Sequence, residues 1–283
     1  MAAGHGWRYL LVDVDGTLLN SQGQVTPRTH AALARAVRAG LQVVLASGRT
    51  YPSLMRVAGS LQVPFSLIAN GGAAALGPRD QAVRYLNPLP AALWPRLVEA
   101  LAEAGLSVVV FRHRHPEPPL LLVSTPRGDP HYEAYLGRHT LANQVLPDLA
   151  QAAIPDVLEV AALGRGEAFD RASAQVMERF RGATRHHSMA LYINAAYGKI
   201  TEFFEPGTSK WRAFLGLFPQ AASHPQQVIA VGDEANDAEM VAAAGMGIAM
   251  GNATPELKAL ARHVTASHDE EGLAQALEAL LPG

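Results

Sequence analysis

Asp13 and Asp15 stand two residues apart at the end of an apolar run, in LLVDVDGTLLN (residues 10–20), with Gly16 and Thr17 directly behind them. Carboxylates leaving a buried strand repel one another and need partners. Further along lie Ser47-Gly48-Arg49, Asn70-Gly71-Gly72, a lone Lys210, and Gly232-Asp233 followed by Asn236 and Asp237. If Asp13, Asp15, Asp233 and Asp237 gather, three or four carboxylates share one place, and such a group calls for a cation. Hard oxygen ligands with room for water suit magnesium, and magnesium in turn suits a phosphate substrate. Ser47 offers a hydroxyl to a phosphate oxygen, and backbone N–H groups near Gly16 and Gly48 add donors. Lys210 brings a compact positive charge. One carboxylate of the first pair can then attack phosphorus, and the other can move protons.

These clusters do chemistry only if the fold collects them, and the pattern of elements says that it does. RYLLVDV, LQVVLA, FSLIAN and QVIAVG are continuous apolar runs, the signature of strands buried on both faces. Helical stretches separate them. TPRTHAALARAVRAG has Thr26 as N-cap, Pro27 at the first helical position and Gly40 as its stop, and TPELKALARH repeats the device with Thr254 and Pro255. Alternation of this kind implies βαβ units and a parallel sheet. In open α/β sheets, ligands bind at the carboxyl ends of the strands, and all four polar clusters fall there.

Between the two parallel-type stretches the rhythm changes. VRYLNPL, LSVVVFR, LLLVS and VLEVAAL read as strands, with helices at PAALWPRLVEALAEAG, DPHYEAYLGRHTLA and GEAFDRASAQVMERFRG, and a Pro-rich loop at HRHPEPP. SMALYINAAYGKITEFF reads as two strands with a turn at Gly198. Strand pairs between helices point to an inserted α+β domain with an antiparallel sheet. The expected division is residues 1–82 with 205–283 as the core and 83–204 as the insertion.

Composition narrows the function classes. The chain has 283 residues, 49% hydrophobic and 17% charged, with a net charge of -2 and no cysteine. That excludes disulfides and thiolate catalysis, fits a cytoplasmic setting, and argues against nucleic acid as a partner. The N-terminal apolar run is broken by aspartates and reads neither as a signal peptide nor as a membrane span. Only three of the 23 basic residues are lysines, Lys199, Lys210 and Lys258. His186-His187 and His113-Arg114-His115 lie outside the split core and read as solvated. The first aspartate pair could also be a plain turn, since Asp and Gly favour turns. A calcium loop lacks its third acidic ligand, and Gly245, Gly247 and Gly251 have the wrong spacing for a dinucleotide loop.

DVDGT, SGR, Lys210 and GDEAND, in that order, resemble the motifs of the haloacid dehalogenase superfamily of phosphohydrolases. The tail GNATPELKALARHVTASHDEEGLAQAL is similar to that of its Cof-type branch, which carries a large α+β cap between the second and third motifs. The resemblance implies a doubly wound, Rossmann-like α/β core with that cap inserted, and a cap that sets substrate specificity. It implies Asp13 as nucleophile and Asp15 as general acid/base. Ser47, Gly48, Lys210 and Asn236 would bind phosphate. Magnesium would be held by Asp13, Asp233 and the main-chain carbonyl of Asp15. Arg49, Asn70, Gly71 and Asp237 would support them. Trp211 stands where the family usually has Gly, and Gly72 where Ala is commoner. The expected reaction is magnesium-dependent hydrolysis of a small phosphorylated metabolite, such as a sugar phosphate, through an aspartyl-phosphate, by a monomer or weak homodimer. A phosphomutase on the same chemistry and a phosphate-binding regulatory protein without turnover are the alternatives.

Overall fold

The computed structural model describes residues 6–78, 82–112, 121–124, 143–146, 148–193 and 196–281. The Pro-rich loop, His113-Arg114-His115 and the helix expected over 129–142 lie outside them. The chain divides into two compact units, residues 1–85 with 209–283, and residues 86–208.

The first unit is built on the sheet β14-β13-β12-β1-β2-β3-β4-β5. Its strands are β1 (Tyr9–Asp13), β2 (Gln42–Ala46), β3 (Phe65–Ala69), β4 (Ala74–Leu76), β5 (Val83–Leu86), β12 (Val228–Gly232), β13 (Met246–Ala249) and β14 (His263–Val264). β1 lies between β12 and β2, parallel to both, and Leu11 registers with Ala230 on one side and Val44 on the other. Leu10, Leu11 and Val12 are wholly buried, which is why the run is apolar without alternation. The expected parallel sheet is therefore present, with additions at its edges: β14 at one, and at the other β4 and then β5, whose VRYL is expected in the inserted domain. The Ala-rich β4 returns antiparallel to β3, and its small residues carried too little apolar pattern to mark it as a strand.

Helices cover this sheet. α1 (Pro27–Arg38) and α2 (Tyr51–Ala58) follow β1 and β2. Thr26 Oγ1 accepts from Thr29 N, and Gly40 takes a left-handed φ of 89° behind the helix. The cap and stop stand where the sequence puts them.

The second unit carries the sheet β10-β11-β9-β6-β7-β8, made of β6 (Ser107–Arg112), β7 (Leu121–Ser124), β8 (Asn143–Val145), β9 (Val157–Gly164), β10 (Arg185–Ile193) and β11 (Ala196–Phe204). Four of its pairings are antiparallel and β7–β8 is parallel. α3 (Trp94–Glu103) and α4 (Gly166–Arg179) close its core around Leu97, Val110, Val160, Phe169 and Phe203. Gly198 is not the turn. It pairs with Leu191 inside β11, because the hairpin registers Ile193 against Ala196. His186 and His187 are half-buried on β10 rather than solvated, and His187 Nδ1 lies 3.1 Å from Glu202.

In the first unit α5 (Lys210–Leu217), α6 (Ala238–Ala243), α7 (Pro255–Leu260) and α8 (Gly272–Leu280) complete the helical layers. Thr254 Oγ1 accepts from Leu257 N at the start of α7. No described helix is long and apolar enough to cross a membrane.

Candidate active site

The register of three parallel strands decides what meets. Asp13, the last residue of β1, pairs with Ala46, whose neighbour is Ser47, while Val12 pairs with Val231, two residues before Asp233. The three strand ends thus share one edge. Lys210 opens α5, which is N-capped by Ser209 through its Oγ and the N–H of Arg212 at 3.1 Å. Behind that helix start the Asn70-Gly71-Gly72 turn makes a close approach. Gly72 has φ +108°, and a Cβ there would stand 2.2 Å from the Ser209 carbonyl oxygen. The glycine that replaces the commoner alanine lets this backbone seat the lysine-bearing helix.

Lys210 is buried and donates to Asp13 Oδ1 at 2.6 Å, Asp237 Oδ1 at 2.6 Å and Asn236 Oδ1 at 3.2 Å. Asp237 Oδ2 accepts from the backbone N–H groups of Asp233 and Glu234 at 3.0 and 3.1 Å. Both of its oxygens are thereby engaged in holding Lys210 and the loop after β12. Asp233 Oδ1 accepts from Thr17 Oγ1 at 3.0 Å, and its Oδ2 from Asn252 Nδ2 at 3.2 Å. Gly16, at φ +77°, lies so near that an added Cβ would stand 2.2 Å from Asp233 Oδ2. The carboxylate itself, as much as any phosphate, requires glycine here.

Burial pushes the Asp13 carboxyl well above its ordinary range; Lys210 opposes that shift, and Asp237 and Asp233 reinforce it. Burial, then Asp237, raises Asp233 to about 6. Burial lowers the Lys210 ammonium, but Asp13 and Asp237 outweigh it, so its net shift is upward. One ammonium faces three carboxylates, and it cannot neutralise them all.

Asp13, Asp233 and Asp237 each offer an oxygen within 4.8 Å of the others. With Asp237 committed to Lys210 and the loop, Asp13 and Asp233 are the carboxylates suited to a divalent cation. Hard oxygen donors, buried and under-neutralised, fit that group.

The fourth aspartate is not among them. Asp15 is exposed, and its two oxygens accept from Arg49 Nε at 2.8 Å and Nη2 at 2.6 Å. Ser47 is buried, and its Oγ accepts from Arg49 N at 3.1 Å. Gly48 is exposed at the tip. Asn70, at a left-handed φ of 48°, donates its N–H to Arg49 O at 2.9 Å, and Gly71 N–H donates to Ser47 O at 3.1 Å. Trp211 faces the core, its ring 5.2 Å from that of Phe214.

Two residues of the site escaped the sequence reading. Thr17 was visible behind the aspartates but had no partner in view. Asn252 Nδ2 bonds Gly16 O at 2.9 Å as well as Asp233, and its Oδ1 accepts from His268 N at 3.0 Å. It ties the loop after β1, the end of β12 and the C-terminal segment together, and an isolated Asn in the loop between β13 and α7 carries no signal of that.

Residues 10–277 match the family described as haloacid dehalogenase-like hydrolase. The chain is 28% identical to 5-amino-6-(5-phospho-D-ribitylamino)uracil phosphatase YwtE of Bacillus subtilis over 97% of this chain and 98% of that one. It is 25% identical to pyridoxal phosphate phosphatase YbhA of Escherichia coli, over 95% and 96% of the two chains. Its fold is similar to that of a haloacid dehalogenase-like hydrolase from Bacteroides thetaiotaomicron, with TM-score 0.77, 25% identity and coverage of 97% and 99%. The TM0651 structure from Thermotoga maritima has the same fold, with TM-score 0.79 at 21% identity over 96% and 97%. On the strand-end site and these matches together, the chain belongs to the Cof-type haloacid dehalogenase-like hydrolases, and its class is phosphoric monoester hydrolase.

Proposed function

We infer that the chain is a magnesium-dependent phosphatase that hydrolyses a small phosphorylated metabolite through an aspartyl-phosphate on Asp13. The observation that carries this reading is the buried group of Asp13, Lys210, Asp233 and Asp237, in which three carboxylates share one ammonium. YwtE and YbhA, phosphatases of small phosphorylated molecules by name, support the substrate class.

Asp13, Asp233 and the main-chain carbonyl of Asp15 would hold the magnesium. Bound there, the ion offsets the carboxylate charge and that of the phosphoryl oxygens. The rest of the chemistry belongs to the chain. Lys210 and the Ser47 hydroxyl take phosphoryl oxygens, and N–H groups of the Ser47–Arg49 turn add to them. An oxygen of Asp13 attacks phosphorus as the ester P–O bond breaks, and Asp15 gives its proton to the departing alkoxide oxygen. Water then attacks the phosphorus of the aspartyl-phosphate. Its proton passes to Asp15, the bond to Asp13 breaks, and inorganic phosphate leaves. We assign the choice among metabolites to the inserted unit.

Phosphate release from a panel of phosphorylated metabolites tests this. Release should require magnesium, stop in EDTA and return on magnesium addition. Asp13→Asn should abolish it in a folded protein. Asp15→Asn should cost about 10²–10⁴-fold on an alkyl phosphate and less on an aryl phosphate, whose leaving group needs no proton. Full turnover by Asp13→Asn, or by the wild type after exhaustive dialysis against EDTA, would refute the reading.

A further inference from the structure

Asn252 stands in the loop between β13 and α7 and is exposed. An exposed amide can take its hydrogen bonds from water, but this one directs them to three segments of the chain. Nδ2 donates to Gly16 O at 2.9 Å and to Asp233 Oδ2 at 3.2 Å, and Oδ1 accepts from His268 N at 3.0 Å. The partners decide which end is which. Turned over, the amide would set its N–H groups against the His268 N–H and its oxygen against two other oxygens. The backbone that carries Asn252 is held on both sides. Met250 N–H donates to Gly232 O and Thr254 N–H to Asp233 O, each at 3.0 Å, and Lys258 Nζ donates to Gly251 O at 2.6 Å. His268 is held in turn by the capping box of Ser267 and Glu270. Water replaces hydrogen bonds of an exposed side chain at little net cost, so stability does not account for this arrangement.

The two pieces that this one amide spans are those that would supply metal ligands. Gly16 follows Asp15, whose main-chain carbonyl is one, and Asp233 is another. The donors to Asp233 are also of one kind. Thr17 Oγ1 and Asn252 Nδ2 are neutral, whereas Asp13 and Asp237 take the ammonium of Lys210. Neutral donors orient a carboxylate and leave its charge for a cation, and each oxygen keeps a lone pair besides. Magnesium demands near-ideal octahedral geometry, so ligands drawn from two loops bind it best when their spacing is set beforehand. We propose that Asn252 is a positioning residue for magnesium: it holds the Asp15–Gly16 backbone and the Asp233 carboxylate at the spacing the ion needs, and so sets how tightly the ion binds. This rests on the magnesium reading above and adds a residue to it. Asn252 takes no part in phosphoryl transfer itself.

The experiment compares wild type, Asn252→Ala and Asn252→Ser, with magnesium chloride as the probe. The melting temperature in EDTA reports metal-free stability, and its rise along a magnesium series gives Kd without any turnover. For Asn252→Ala, Kd should rise about tenfold, the lower end of what loss of a ligand's hydrogen-bond partner costs, because this amide is exposed. Its melting temperature in EDTA should stay within about 4 °C of wild type. With p-nitrophenyl phosphate, the magnesium concentration for half-maximal turnover should rise by the same factor as Kd. At saturating magnesium, kcat should return to within about threefold of wild type. Asn252→Ser, whose hydroxyl is too short to bridge both loops, should raise Kd as well, and if Asn252→Ala does not fold, the shift is read on Asn252→Ser. A Kd within about twofold of wild type in a folded variant overturns the inference, and so does a loss of kcat that saturating magnesium does not restore. Both results leave the proposed function standing. A wild type that binds magnesium but releases no phosphate overturns the proposed function alone, and one that binds no magnesium overturns both.

Discussion

The first unit gathers Asp13, Lys210, Asp233 and Asp237, all buried, into one hydrogen-bonded group. In the second unit several ion pairs lie toward solvent: Lys199 with Asp170, Arg171 with Glu167, Arg179 with Glu103, and Arg181 with Glu178. Its buried charged side chain among those residues is Glu159. Both units use the same plan of helices on a sheet, so the contrast comes from something other than architecture. Burying ions costs several kcal/mol each, and pairing seldom repays it. A fold built only for stability has no reason to collect three acids around one lysine. The first unit carries that cost at the strand ends where a parallel sheet places its ligands, and the second unit keeps most of its charge in water.

The largest stability effect should come from breaking the buried group. Lys210→Met leaves Asp13 and Asp237 without their cation, and unfolding in urea with EDTA at pH 7 should show a loss of about 3–5 kcal/mol. A loss below about 1 kcal/mol would put this lysine with surface ions and end the contrast.

The next effect is a pH dependence. Asp233 titrates near 6 in the folded chain, against about 3.9 for a free aspartate. Between those values the folded chain holds more protons than the unfolded one, so stability falls as pH rises through the window. The metal-free protein should therefore be more stable near pH 5 than at pH 7, by on the order of 1 kcal/mol from Asp233. Asp13, shifted the same way, adds to it. Urea midpoints at the two pH values measure the difference, and Asp233→Asn should shrink it. Greater stability at pH 7 than at pH 5 in EDTA would contradict the charge balance described above.

The smallest effect belongs to the second unit. Lys199 Nζ lies 2.7 Å from Asp170 on partly exposed side chains. Lys199→Ala should cost under about 1 kcal/mol, less still in high salt. A cost near that of Lys210→Met would show that exposure does not separate the two units.

The sequence by itself determined the fold class and the edge at which the chemistry gathers. Continuous apolar runs marked β1, β2, β3 and β12, and their polar ends named Asp13, Ser47, Asn70 and Asp233, because a strand buried on both faces must be apolar and must end where it meets water. Helix caps were local enough to read, as Thr26 with Pro27 and Thr254 with Pro255 show. What the tertiary structure decided was the environment of each group. Asp13 and Asp15 are two residues apart, yet one is buried on Lys210 and the other is exposed on Arg49. Lys210 reaches Asp13 across 197 positions and Thr17 reaches Asp233 across 216. Asn252 and Gly72 acquire their tasks from backbone that only the folded chain brings near. Gly198, a turn by its type, is drawn into β11 by the register of a hairpin. Burial, partners and register depend on distant residues, and a local pattern carries no record of them.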